Sequence, residues 1–275
     1  MIGQTKILEK LNNLIKENKL PKFILLQGGR GYGKKELCKQ IARIMDIDMV
    51  MFENKVDDLR ECIKLAYEQT SPILYVLMDG DTMSVAAKNS ILKLIEEPPK
   101  NAFIIMLIEN EETILTTIKS RAYFLKLDNY TPDEISEYIK SRDNAFTEKE
   151  IDELCLICAC PGDVNELLRS ENSELLGLVD KLIVNLDKVT LSNLLKISKK
   201  FKLNESSEGM DINLFLNCLQ NSLYKNYLQT RKDRYYYGYR EVIFAKGALR
   251  HNTTNKLYTL DLLLTEMWKL WNCGN

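Results

Sequence analysis

The chain has 275 residues, 45% of them hydrophobic and 28% charged, enough to bury a full core and to form two or three compact units. Its formal net charge of -1 excludes a protein that holds nucleic acid through a uniform positive field, so any such contact is local or shared with partners. Seven cysteines, an odd number, with no apolar signal segment behind the first residue, exclude a secreted disulfide framework; no apolar run reaches the roughly 20 residues of a membrane helix, and a cytoplasmic protein without membrane contact is expected.

In chain order, Thr5 to Glu17 sets Ile7, Leu8, Leu11, Leu14 and Ile15 on one helical face. Five short apolar runs follow, at Phe23–Gln27, Met49–Phe52, Ile73–Met78, Phe103–Ile108 and Tyr123–Leu127, which read as buried strands. Helical patterns separate them at Lys34–Met45, Val56–Glu68, Ser84–Glu97 and near Thr113–Ile118, the third stopped by Pro98 and Pro99. Alternation of this kind predicts an α/β fold, a parallel five-stranded sheet with helices on both faces. After Asp128 only helices are predicted. Thr131-Pro-Asp-Glu134 and Thr147-Glu-Lys-Glu150 are capping boxes, Pro161-Gly162 breaks the chain before a helix at Asp163–Leu168, and helical periodicity returns at Leu175–Leu186 and Leu214–Leu228. The expected domains are 1–127, an α/β unit; 128–172, a small helical lid; and 173–275, an all-α unit. Asn204–Met210 reads as a polar loop.

Gly28-Gly-Arg-Gly-Tyr-Gly33-Lys34-Lys35 follows the first strand and opens a helix, the context of a phosphate loop. Gly28, Gly31 and Gly33 let backbone N–H groups turn toward phosphate oxygens, and Lys34 adds a charge at the helix's positive end. Lys35 stands where a Ser or Thr hydroxyl ordinarily ligates magnesium, and an ammonium has no lone pair for a metal. Asp79 ends the third strand as a Walker B acid does, or else caps a turn; Gly80 stands where an acid would polarise the attacking water. Asp81 is left without a catalytic role. ATP or ADP binding at Gly28, Gly31, Gly33, Lys34, Lys35 and Asp79 is therefore doubtful, and no nucleotide or metal cofactor is required.

The segment Ala87-Lys-Asn-Ser-Ile-Leu-Lys-Leu-Ile-Glu-Glu-Pro-Pro-Lys-Asn-Ala-Phe-Ile-Ile105 resembles the A-x-N-x-L-L-K-x-L-E-E-P-P motif of bacterial DNA polymerase III clamp-loader subunits, which are AAA+ proteins. Thr117-Ile-Lys-Ser-Arg-Ala122 is similar to their T-I-x-S-R-C segment, and Gly3-Gln4 and Asn18-Lys-Leu-Pro21 to runs ahead of the first strand. The resemblance covers residues 1 to about 170 by motif. It implies an AAA+ P-loop sheet, a helical lid and an all-α C-terminal collar that joins gamma/tau and delta subunits in a hetero-pentamer. That assembly loads a sliding clamp on primed DNA. Within the family, Lys35, Gly80 and Asn165, the last in place of a sensor arginine, fit the delta-prime type, which does not hydrolyse ATP. Arg121 then corresponds to the arginine offered in trans to a neighbour's ATP, the alternative being a surface arginine paired with a nearby acid. An ATP-hydrolysing gamma/tau-type subunit is the competing reading.

The four-cysteine zinc module of many relatives has no counterpart, since only Cys38 and Cys62 lie between the phosphate loop and Asp79. Cys155, Cys158 and Cys160 read as core. Lys196, Lys199, Lys200 and Lys202 read as a solvated helix face. Arg231 to Arg240 interleaves basic and tyrosine residues, which suits either a base-stacking surface or a helix packing its tyrosines into a bundle.

Overall fold

A computed structural model describes residues 3–142, 146–169, 174–201, 209–249 and 255–272. Lys202 and most of Asn204–Met210 lie outside the described residues. The described residues gather into two compact units, one of residues 3–138 with 160–162, the other of those from 139 to 159 and from 163 onward.

The first unit holds a sheet of β1 (Phe23–Gln27), β2 (Asp48–Phe52), β3 (Ile73–Leu77), β4 (Ala102–Ile108) and β5 (Tyr123–Lys126), each within two residues of its predicted limits. All strands are parallel, in the order β2-β3-β4-β1-β5. β3, β4 and all of β1 but its last residue, Gln27, are built of buried, largely apolar side chains because both faces are covered. Ile24, Leu26, Leu74, Val76, Ile105 and Leu107 face α1 (Thr5–Lys16) and α2 (Lys34–Met45). The alternate residues Leu25, Tyr75, Leu77, Ile104 and Met106 face α3 (Val56–Glu68), α4 (Val85–Ser90) and α5 (Leu92–Glu96). Each such fully buried aliphatic side chain contributes about 1.5–3 kcal/mol.

The single helix expected at Ser84–Glu97 is two. It breaks at Ile91, directly after Ser90, whose hydroxyl donates to the Ala87 carbonyl at 2.7 Å, a back-bond that bends helices. The segment near Thr113 is a turn of 3-10 helix at Glu111–Thr113 followed by α6 (Thr116–Lys119).

The first capping box opens α7 (Pro132–Arg142): Thr131 N–H donates to Glu134 at 2.8 Å and Glu134 N–H to the Thr131 hydroxyl at 3.3 Å. The second is equally complete at α8 (Glu148–Ile157). α9 (Pro161–Leu167) begins on the breaking proline itself, which suits a first helical position. In the second unit α10 (Leu175–Asn185) and α11 (Leu191–Leu194) precede a hairpin of α12 (Ile212–Thr230) and α13 (Asp233–Ala248), and α14 (Lys256–Asn272) packs on α13. Gly238 permits that packing: a Cβ there would lie 3.3 Å from the Trp271 ring. Among the described residues, no helix is long and apolar enough to cross a membrane.

Candidate functional site: a phosphate loop closed on itself

In a parallel sheet, ligands collect beyond the carboxyl ends of the strands where the strand order reverses. Here that place lies between β1 and β4, and the segment from Gly28 to Lys34 occupies it. The loop is pinned on three sides. Gly28 N–H donates to the Ile108 carbonyl at 3.0 Å, and a Cβ on Gly28 would meet Leu127 at 2.9 Å. Gly31 has φ +79° and lies against Cys160 and Gly162, with Gly162 N–H donating to its carbonyl at 3.1 Å. Gly33, with φ +87°, turns the chain into α2. Positive φ at these two positions is what glycine accepts without a steric cost.

The loop's own side chains fill its mouth. Lys34 Nζ donates to the Gly28 carbonyl at 2.5 Å and to the Gly29 carbonyl at 3.2 Å, so the ammonium is spent on the loop backbone. Burial pulls its pKa below the ordinary lysine value, against the field of Glu109, Asp81 and Asp79. Tyr32 folds across Gly29, where a Cβ would lie 2.8 Å from the ring. Its hydroxyl is 3.2 Å from the Asn129 side-chain oxygen, Tyr130 donates to its carbonyl at 3.0 Å, and the two tyrosine rings meet edge to face. Lys35, the next residue of α2, is exposed.

The acids divide by role. Asp79, exposed and left-handed at φ +49°, precedes a 3-10 turn of Gly80–Thr82, and its carbonyl accepts from the Thr82 hydroxyl at 3.0 Å. Asp81 accepts from the Glu109 N–H at 2.6 Å, the Asn110 N–H at 2.7 Å and the Thr113 hydroxyl at 3.2 Å. Its carboxylate, both oxygens bonded, ties the end of β3 to the end of β4. Gly80 is buried, and a Cβ there would sit 2.8 Å from Met106 Cγ and Sδ and 2.9 Å from Ile108 Cγ2. The position that would carry a water-polarising acid thus points into the sheet core.

Sequence reasoning overlooked Glu109, whose carboxyl is pushed up by desolvation while Lys34 pulls it down and Asp81 raises it further. Its signal was an apolar run delivering an acid to the sheet edge, the feature that marked Asp79. No group of three or more His, Cys, Asp or Glu side chains is placed to hold a metal ion among the described residues.

Arg121 is elsewhere. It follows α6 and precedes β5, at the amino edge of the sheet, whereas the phosphate loop leaves the carboxyl edge of β1. At about 3.3 Å per residue the two are separated by roughly 15–20 Å along the strands, beyond an arginine's reach. Its guanidinium contacts Glu96 at 2.8 Å, donates to the Thr117 carbonyl at 2.7 Å, and lines an open depression of about 390 Å³ with Pro21, Lys22, Pro98 and Tyr123. Arg121 is thus a surface arginine paired with a nearby acid, and the pair with Glu96 is half exposed. Asn165 is exposed on α9 in the second unit.

Residues 49–131 match the family described as DNA polymerase III, delta subunit. The DNA polymerase III gamma subunit of Buchnera aphidicola subsp. Acyrthosiphon pisum is 24% identical over 173 residues, 51% of this chain and 47% of its own length. The delta' subunit of Bacillus subtilis is 24% identical over 171 residues, covering 51% of this chain and 52% of its own. The chain thus spans about half the length of the curated relatives it matches, and it is as similar to a gamma subunit as to a delta' subunit. A DNA polymerase III gamma subunit-related protein from Thermotoga maritima shares the fold, with a TM-score of 0.53 at 20% identity over 96% of this chain and 99% of that one. Beside the five-stranded parallel sheet and its glycine-rich loop, these comparisons make the chain similar to gamma and delta' subunits of DNA polymerase III.

Proposed function

We propose that the chain is a clamp-loader subunit of the delta-prime type: a scaffold that does not hydrolyse ATP and lends Arg121 to nucleotide bound by a neighbour. It works in the cytoplasm, with gamma/tau and delta subunits as partners in a hetero-pentamer, and meets the sliding clamp and primed DNA through that assembly. In this reading residues 128–172 serve as the lid and 173–275 as the collar. The observation that carries it is the crowding at Gly80, which leaves no room for a water-activating side chain. Lys34, held by carbonyls, and Lys35, unable to ligate magnesium, support the same conclusion. The edge position of Arg121 supports action in trans, where a planar cation stabilises charge developing on a transferred phosphoryl group.

The test mixes the chain with the gamma/tau and delta subunits of the same organism. One copy is expected to co-elute in a larger complex, and Arg121→Ala is expected to assemble normally while lowering the complex's ATPase by about 10³-fold or more at the site it completes. Failure to join, or an unchanged ATPase, overturns the reading. Turnover of ATP by the purified chain would favour a gamma/tau-type subunit instead.

A further inference from the structure

The hairpin of α12 and α13 carries a tyrosine cluster that the loader reading does not use. Tyr224, Tyr227, Leu228 and Arg231 share one face of α12 at helical spacing, and Tyr236, Tyr239 and Arg240 share one face of α13. Across the hairpin Tyr224 meets Tyr239 with ring centroids 5.8 Å apart, Tyr227 meets Tyr236 at 5.6 Å, and Tyr237 lies edge-on to Tyr236 at 5.7 Å. Their neighbour Tyr235 takes the opposite course: it is buried against Trp271, with Arg234 over both rings. The bundle is therefore served by Tyr235, while Tyr224, Tyr236 and Tyr237 remain 50%, 44% and 46% exposed. Burying aromatic rings is favourable, and five tyrosines gathered outside the core need a partner that presents flat apolar faces.

The charge around them identifies its class. Between residues 224 and 241 five cations stand against two carboxylates, in a chain of net charge -1. Lys225 pairs with Glu153, but Arg231, Lys232 and Arg240 are exposed and make no ion pair among the described residues. Arg231, left-handed at φ +54° where α12 ends, holds its guanidinium over the Tyr227 ring at 5.7 Å. Stacking faces rimmed by unpaired cations are what single-stranded nucleic acid takes, bases on rings and phosphates on cations.

We propose that this hairpin face binds single-stranded nucleic acid by stacking bases on Tyr224, Tyr236 and Tyr237, with Arg231, Lys232 and Arg240 on the flanking phosphates. The proposal does not depend on the loader reading, because it is tested on the purified chain alone. The probe is a fluorescent oligothymidylate of about 12 nucleotides at low salt, followed by anisotropy, beside a duplex of equal length. Binding is expected to favour the single strand. Tyr236→Ala with Tyr237→Ala is expected to weaken it by about tenfold or more, and the corresponding Phe variants, which keep the rings, to restore it. Arg231→Ala with Arg240→Ala is expected to flatten the dependence of affinity on salt by about 1.4 in log–log slope. Melting curves matching the parent's establish that the exposed substitutions leave the fold intact. No binding of the single strand, or equal binding of the Ala and parent chains, would overturn the proposal.

Discussion

Restoring the acid that position 80 lacks is expected to damage the protein and leave it unable to hydrolyse ATP. In Gly80→Glu the first added atom would lie 2.8 Å from Met106 and 2.9 Å from Ile108, where carbon atoms at rest keep about 3.5–4.0 Å. Met106 and Ile108 are fully buried in the central strand β4, so relief requires the 3-10 turn to move off the sheet. Overpacking of this size costs about 1–3 kcal/mol, the amount expected of Gly80→Ala. Glutamate adds a carboxylate entering an apolar site without a partner, which brings the loss to about 3–5 kcal/mol, a large share of the 5–15 kcal/mol that holds a domain together. Urea denaturation followed by circular dichroism measures the two losses, and phosphate release measures turnover in the same samples. The Glu variant should unfold at markedly lower urea than the Ala variant and release no phosphate, even in a Lys35→Thr background that supplies a hydroxyl for magnesium. A Glu variant with the parent's midpoint, or one that turns over ATP, refutes the argument from crowding.

Asp81→Ala should cost about 2–4 kcal/mol in the same assay, since three donors from the start of the β4 loop lose their shared acceptor. Gly162→Ala and Gly31→Ala should each cost at least about 1–3 kcal/mol, because each Cβ would fall on the other's backbone, at 2.8 Å for Gly31→Ala and closer still for Gly162→Ala, and backbone cannot rotate away as a side chain can. Arg121→Ala, by contrast, breaks a half-exposed pair and should cost less than about 1 kcal/mol, which separates its role in a complex from any role in folding. Alkaline pH should destabilise the chain: burial pushes the thiols of Cys38, Cys62 and Cys218 from 9.0 up to about 12. Groups raised on folding contribute fully below the unfolded value and lose that contribution as pH rises toward the folded one, so the urea midpoint should fall from about pH 9 upward. A midpoint unchanged between pH 8 and pH 10.5 would count against their burial.

The sheet was readable because a parallel strand buried on both faces is simply an unbroken apolar run, and five such runs are present. Both capping boxes were readable because their donors and acceptors are three residues apart. The break at Ile91 was not: helical periodicity runs through it, and the deciding bond comes from one serine hydroxyl. At the site, the missing groups at Lys35 and Gly80 could be seen in the sequence, but the reasons they matter lie between residues far apart in it. Asp81 gripping the β4 loop and Glu96 holding Arg121 follow from which elements the sheet makes neighbours, whereas Lys34 folds onto carbonyls only five and six residues before it. Of the two readings of the tyrosine segment, packing into the bundle holds for Tyr235, which is core, while Tyr236 lies at the surface.

The loop and Arg121 leave the sheet at opposite edges, which gives this unit a direction. A row of such units, each extending an arginine forward and holding a ligand behind, could lengthen without limit unless one member broke the rule. On the delta-prime reading proposed above, such a chain, its Lys34 bonded to its own loop, gives at its front edge and takes nothing at its back. It is a terminus in the grammatical sense, a full stop that fixes how long the row is and which end comes first.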